Sequence, residues 1–256
     1  MSKSADRATE RAARAAALME KQRKDERRRR LAIVGAVAVV LAIVLGVGVW
    51  VQASRDTTGD VAADAPGSGA SVAEGVPEAV TDDYGVLVGD PDAPTTITVY
   101  EDLQCPVCAR FEAATGDALS AAIDEGRVQV EYRMVSFLDS QSANEYSSRA
   151  LNALLATLDT AGVDAFKTVH DQLYADQPAE GTAGPEDDAL VADAVAAGAE
   201  ESEVRPLIED KVYDQWIRNA TDAMSRNGVN GTPTVFVNGQ RAEGDPVVAV
   251  QDALGG

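Results

Sequence analysis

The chain has 256 residues, 45% of them hydrophobic and 25% charged, with a formal net charge of −20 and 5% aromatics. This is the composition of a globular protein, and an acidic chain poor in aromatics does not suit nucleic acid, whose phosphates call for a basic surface. Two Cys three positions apart and a single His, His170, are too few ligands for a usual structural zinc site, and a disulfide across so short a loop would add little as a staple, so the pair points to chemistry.

The charge is unevenly spread. Residues 1–30 carry 11 Lys/Arg against 5 Asp/Glu and end in Arg27-Arg28-Arg29-Arg30, whereas the rest of the chain carries 11 against 37. Such asymmetry suggests two environments. Residues 31–51 are 21 positions without a charge; as a helix they would extend about 32 Å, close to the roughly 30 Å of a bilayer's hydrocarbon core. With the Arg cluster before them and Trp50 at the far end, they read as a single transmembrane signal-anchor with a cytoplasmic basic tail and an extracytoplasmic C-terminus. A cleaved signal peptide is the competitor, but its apolar region is usually about 7–15 residues. Residues 52–82, rich in Gly, Ala, Ser, Asp and Pro, read as a flexible linker.

Residues 83–256 are expected to form one domain. Thr95 to Glu101 is β-branched and aromatic, hence a strand. Helical spacing starts at the Cys pair, with Ala118, Leu119, Ala122 and Ile123 as its inward stripe and Gly126 as its stop. Val128, Val130, Tyr132 and Met134 alternate with charged or polar residues, the pattern of a half-buried strand. A helical insert follows over about 140–227, interrupted at Pro178, Gly181, Gly184 and Pro185, with Val204, Ile208, Val212 and Trp216 as an i+4 ladder in its last helix. Phe166, Tyr174 and Trp216 read as core of that insert. Thr234 to Val237 is a strand, Asn238-Gly239 a hairpin turn, and Pro246 to Leu254 a closing helix. A strand–helix–strand unit implies a parallel pair with a right-handed crossover, and the hairpin adds an antiparallel one. The expected fold class is α/β, a central mixed sheet flanked by helices.

The chemistry centres on Cys105-Pro106-Val107-Cys108, where the first strand gives way to a helix. Pro106 suits the first helical position, whose N–H has no partner in any case. Cys105 at the helix N-terminus then faces amides and a dipole that favour a thiolate. Cys108, one turn on, can reach Cys105 and resolve a mixed disulfide formed there. Two thiolates could alternatively hold Cu(I). Gly231-Thr232-Pro233-Thr234 precedes the third strand, and a Pro in such a place can be cis. His170 lies far along the chain and reads as a structural helix-face residue.

With the Cys pair and Thr232-Pro233 in this order, the domain resembles the DsbA-like branch of the thioredoxin superfamily from about Tyr84 to Leu254. The resemblance also rests on Val88 to Pro94, Tyr100 to Gln104, Tyr132 to Asp139, His170 to Tyr174 and Val237-Asn238-Gly239. It implies a thioredoxin fold with a helical insertion, a cis-Pro233 packed against the Cys pair, and Thr232 offering backbone hydrogen bonds to an incoming peptide. It further implies a thiol–disulfide oxidoreductase oxidising exported proteins, with no cofactor other than the redox-active Cys105–Cys108 disulfide and with a membrane redox partner to regenerate it. A reductase is the alternative direction. The sequence departs from the family pattern in two places. Val99 stands six positions before the first Cys, where founding members carry a buried acid, so Glu101 or Asp102 is the candidate acceptor of the Cys108 proton. Val107 stands where the founding DsbA has His, which removes one source of thiolate stabilisation.

Overall fold

The structure is a computed structural model that describes residues 79–255. The basic tail, the apolar segment 31–51 and the linker up to residue 78 lie outside the described residues. The packed chain begins before residue 83, because Ala79 is buried and Val80 bridges to Val86.

Five strands form one mixed sheet in the order β1-β3-β2-β4-β5. They are β1 (Val86–Val88), β2 (Thr95–Glu101), β3 (Val128–Met134), β4 (Thr234–Val237) and β5 (Gln240–Arg241). Strands β2 and β3 are parallel, with Val99 opposite Tyr132, and every other pair is antiparallel. The expected mixed sheet is therefore present. The sequence reading had no strand at β1, whose three residues are too few to show a period. The Asn238-Gly239 turn has φ of 48° and 76°, the double positive φ of the turn type that matches strand twist.

The helices are α1 (Pro106–Asp124), α2 (Tyr146–Ala175), α3 (Asp187–Ala196), α4 (Glu201–Glu209), α5 (Asp214–Arg226) and α6 (Pro246–Gly255). The crossover helix α1 buries Cys108, Phe111, Glu112, Thr115, Leu119 and Ala122. Ala118, expected inward, is exposed, because a stripe set by Cys108 recurs at 3–4-residue steps through Leu119 and turns Ala118 outward. Helix α2 breaks at Gly162, with φ 83° and ψ −175°. The ladder from Val204 to Trp216 does not lie in one helix: it is shared between α4 and α5, with Lys211 at φ 51° between them.

One sheet face, with Ile97, Val99, Val130 and Tyr132, joins Phe111, Leu119 and Phe166 in the main core. The other face carries a smaller cluster of Tyr100, Val135, Met224 and Val229 with Phe236 against it. Strand β3 is buried on both faces, not on one. Glu131 lies only 7% exposed and takes hydrogen bonds from Thr81 and Thr98 and an ion pair from Arg133. A central strand has a neighbour on each side, and its polar side chains are sustained there by such partners. Trp216 meets Tyr84 edge-on at 5.4 Å, so it packs on the chain entering the sheet as well as on the insert.

Candidate active site

Strand β2 delivers the chain to a turn in which the Cys105 amide donates to the Asp102 carbonyl, at 2.9 Å. Cys105 is then the N-cap of α1, in an extended conformation, and Pro106 opens the helix, as the spacing predicts. Cys105 is 6% exposed and Cys108 fully buried, both as free thiols. The Cys105 thiol is lowered to about 6: a hydrogen bond from Cys108 is the largest cause, burial opposes it, and Thr232 and the Val107 and Cys108 amides add to it. The Cys108 thiol, aided by the helix amides, thus favours the thiolate without a His at position 107. The Cys108 thiol moves the opposite way, well above its ordinary range, through burial, its hydrogen bond to Cys105 and the Glu101 charge. The two sulfurs are thus oppositely poised, Cys105 towards the thiolate and Cys108 towards the protonated thiol.

The Thr232–Pro233 peptide is cis, and the Thr232 carbonyl lies 3.5 Å from Cys105 Sγ. Residues 127 positions apart are brought together because β4 runs antiparallel beside β2.

The two candidate proton acceptors separate. Asp102 accepts from the Gln104 and Leu138 amides, each at 2.8 Å, and from the Ser147 hydroxyl at 2.5 Å. Burial pushes its carboxyl up to about 6 while these donors hold it down. Asp102 therefore organises the turn and ties it to α2. Glu101, fully buried, has one oxygen 3.2 Å from His170 Nε2 and the other without a partner, and its charge bears on Cys108. Its neighbour Glu112, four residues beyond Cys108 on the buried stripe of α1, is pushed up to about 8, chiefly by burial and then by Glu101.

His170 is the main surprise. It is fully buried beside Glu101, with ring contacts to Tyr132 and Tyr174 at 4.5 and 5.0 Å. Its distance along the chain gave no hint of this, because it is the packing of α2 against α1 that carries it there. Among the described residues, side-chain oxygen or nitrogen atoms of Glu101, Glu112 and His170 lie within 4.8 Å of one another, and a direct hydrogen bond of 3.2 Å joins His170 Nε2 to a Glu101 oxygen. Gln177, which no motif marked, donates from its side chain to the Leu103 and Cys105 carbonyls, each at 3.0 Å. In return Gln104 donates to the Thr182 carbonyl at 3.0 Å. The segment after α2 is thus stitched to the Cys turn.

The sequence matches a family described as "Thioredoxin" over residues 81–252. In structure, 70% of the chain superposes on 86% of reduced DsbG, a disulfide bond oxidoreductase of Mycobacterium tuberculosis, with a TM-score of 0.55 and 30% identity. Oxidised DsbA of the same organism matches over 69% of the chain and 91% of its own, with a TM-score of 0.54 and 31% identity. MdbA, a thiol-disulfide oxidoreductase of Corynebacterium diphtheriae, shares the fold at a TM-score of 0.59 and 24% identity, over 68% of this chain and 92% of its own. Among curated relatives, the serine/threonine-protein kinase PknE of M. tuberculosis is 28% identical over 175 residues, 66% of this chain and 30% of its own length. The Na(+)/H(+) antiporter NhaA 3 of Salinispora tropica is 30% identical over 156 residues, 61% of this chain and 22% of its own. The chain spans less than a third of either of these two longer proteins.

Proposed function

The chain belongs to the thioredoxin family, and from that premise we propose that it exchanges disulfides with exported proteins outside the cytoplasm, acting chiefly as an oxidase. Protein-disulfide exchange is its reaction, as in the DsbA and DsbG structures it matches at 30–31% identity. The observation that carries the mechanism is the opposed pair of thiols, Cys105 lowered to about 6 and Cys108 held high by burial. A substrate thiolate attacks the Cys105 sulfur of the disulfide, and the electron pair leaves on Cys108. A second substrate thiolate then displaces Cys105, which departs as a stabilised thiolate. The strength of an oxidant rises with the stability of its reduced form, and a favoured Cys105 thiolate contributes to that stability. The Thr232 carbonyl and the exposed Val107, 43% accessible, stand beside the sulfur where a peptide would lie.

The charge-free segment 31–51 supports a single-pass anchor that holds the domain on the outer side, where disulfides persist. A membrane-borne partner with its own disulfide would regenerate Cys105–Cys108, and no other cofactor enters the scheme. The alternative use of the two sulfurs, holding Cu(I) as a pair of thiolates, predicts tight Cu(I) binding with little disulfide exchange.

The test uses the full chain in detergent and a reduced, unfolded protein as substrate. Native protein, first oxidised to the Cys105–Cys108 disulfide, should form substrate disulfides, and Cys105→Ser should be inert. Cys108→Ser, first loaded at Cys105 as a mixed disulfide with a small thiol, should release that thiol to the substrate and accumulate a covalent enzyme–substrate adduct. Equal activity of native protein and Cys105→Ser would refute the reading.

A further inference from the structure

Three buried ionisable groups, Glu101 of β2, Glu112 of α1 and His170 of α2, have side-chain oxygen or nitrogen atoms within 4.8 Å of one another, and the Glu101 charge bears on the buried Cys108 of α1. His170 has carboxylate oxygens at both ring nitrogens: Glu101 at 3.2 Å from Nε2 and Asp171 at 3.0 Å from Nδ1. A neutral imidazole has one donor and one acceptor nitrogen, so two acceptors call for the imidazolium. Two further oxygens, one each on Glu101 and Glu112, and the Tyr132 and Tyr174 hydroxyls are buried without partners. Beyond them, Glu112, Asp171 and Tyr174 line an open cleft of about 250 Å³ between α1 and α2, with Gly116 and Ser120 on its wall. Asp171 is half exposed and paired with Lys167 at 2.5 Å.

We infer that His170 and Glu112 form a proton relay that links Cys108, through Glu101, to solvent in the cleft between α1 and α2, so that the helical insert supplies part of the redox machinery. The inference rests on the disulfide-exchange reading above. Cys108 needs such a route because it is sealed from water yet must gain or lose a proton in each cycle. When a substrate thiolate opens the Cys105–Cys108 bond, a substrate–Cys105 bond forms, the S–S electron pair goes to Cys108, and Cys108 takes one proton from the relay. On reoxidation the Cys105 thiolate attacks the disulfide of the partner protein. Cys108 gives one proton to Glu101, and its thiolate then attacks Cys105 and releases the partner's thiolate. The proton balance closes through Asp171 and the cleft. Tyr132 of β3 and Tyr174, Lys167 and Asp171 of α2 complete the titratable groups facing the cluster, and both Tyr hydroxyls stay neutral because burial pushes them far up. Burial lowers His170 while Asp171 and Glu101 raise it, with a result of about 9, so the relay holds its protons at neutral pH.

The chain has one His, so its ring can be followed without ambiguity by 13C-His nuclear magnetic resonance of the full chain in detergent. The resolving rate is measured as the attack of Cys108 on a glutathione–Cys105 mixed disulfide, as a function of pH. The expected result is a resolving rate that rises through an inflection coincident with the His170 midpoint. In folded His170→Gln and Glu112→Gln that rate should fall by about tenfold or more, the scale of a lost positioned proton acceptor, and His170→Gln should lose the inflection. The Cys105 thiolate absorbance at 240 nm serves as the control for an intact nucleophile. A His170 ring neutral at pH 7, a native inflection far from its midpoint, or an inflection that survives in His170→Gln overturns the relay alone. A native chain that exchanges no disulfide overturns the relay together with the reading it rests on. The first two measurements use native protein, so they stand even if a variant fails to fold.

Discussion

The side chain of Gln177 donates to the carbonyl of Cys105 at 3.0 Å and, from the same nitrogen, to that of Leu103. The segment just past α2 therefore grips the turn that presents Cys105. Gln177→Ala should cost about 1–3 kcal/mol, at roughly 0.5–1.5 kcal/mol per hydrogen bond. It should also raise the Cys105 thiol, since a looser turn aims the helix amides less well. Denaturant unfolding and thiolate absorbance at 240 nm read the two effects, and an unchanged thiol titration would show that Gln177 serves stability alone.

Exchange through Cys105 should weaken as pH falls through about 6, where its thiolate is protonated. Stability follows the same group. A thiol whose folded value lies below its unfolded value stabilises the reduced protein fully above the unfolded value, and that contribution is lost as pH falls through the folded one. The excess stability of reduced native protein over Cys105→Ser should therefore grow between about pH 6 and 9. Thermal melts of both proteins across that range measure it, and a constant difference would contradict a depressed Cys105.

Asp102→Ala strips the acceptor from two amides and a hydroxyl in a buried place. Leaving buried donors unpaired costs about 1–3 kcal/mol each, so a loss of about 3 kcal/mol or more is expected in chemical denaturation. If Asp102 were instead the acceptor of the Cys108 proton, the pH profile of the resolving step would change in Asp102→Asn, which retains part of the hydrogen bonding.

Gly162 interrupts α2 with a backbone conformation that is nearly restricted to glycine. A methyl group there would meet no neighbour within 4 Å, so the effect of Gly162→Ala isolates backbone strain. It should destabilise by about 1–3 kcal/mol. A neutral result would mean that α2 can straighten through residue 162 without loss.

What the sequence by itself determined is local. Cys105-Pro106-Val107-Cys108 carries its own helix start and its own inequality of thiols, because the Cys108 side chain and the helix amides that favour the Cys105 thiolate belong to the next few residues. The period of β3, the Asn238-Gly239 turn and the parallel β2–β3 unit are likewise short-range or topological consequences of residue order. Thr232-Pro233 was legible only beside the Cys motif, since nothing in its own tetrapeptide says what faces it. Tertiary structure alone separated the two acids that precede the Cys pair. Glu101 and Asp102 are adjacent and alike in sequence, but neighbouring positions where β2 ends point to different surroundings: Asp102 meets the amides of the turn and Ser147, Glu101 meets His170. Glu112 on the stripe with Phe111 and Thr115 was a readable sign of a buried acid. His170 and Gln177 had no such sign, because their partners lie about 70 residues away along the chain, and only the packing of α2 and the segment after it against α1 and the Cys turn closes that distance.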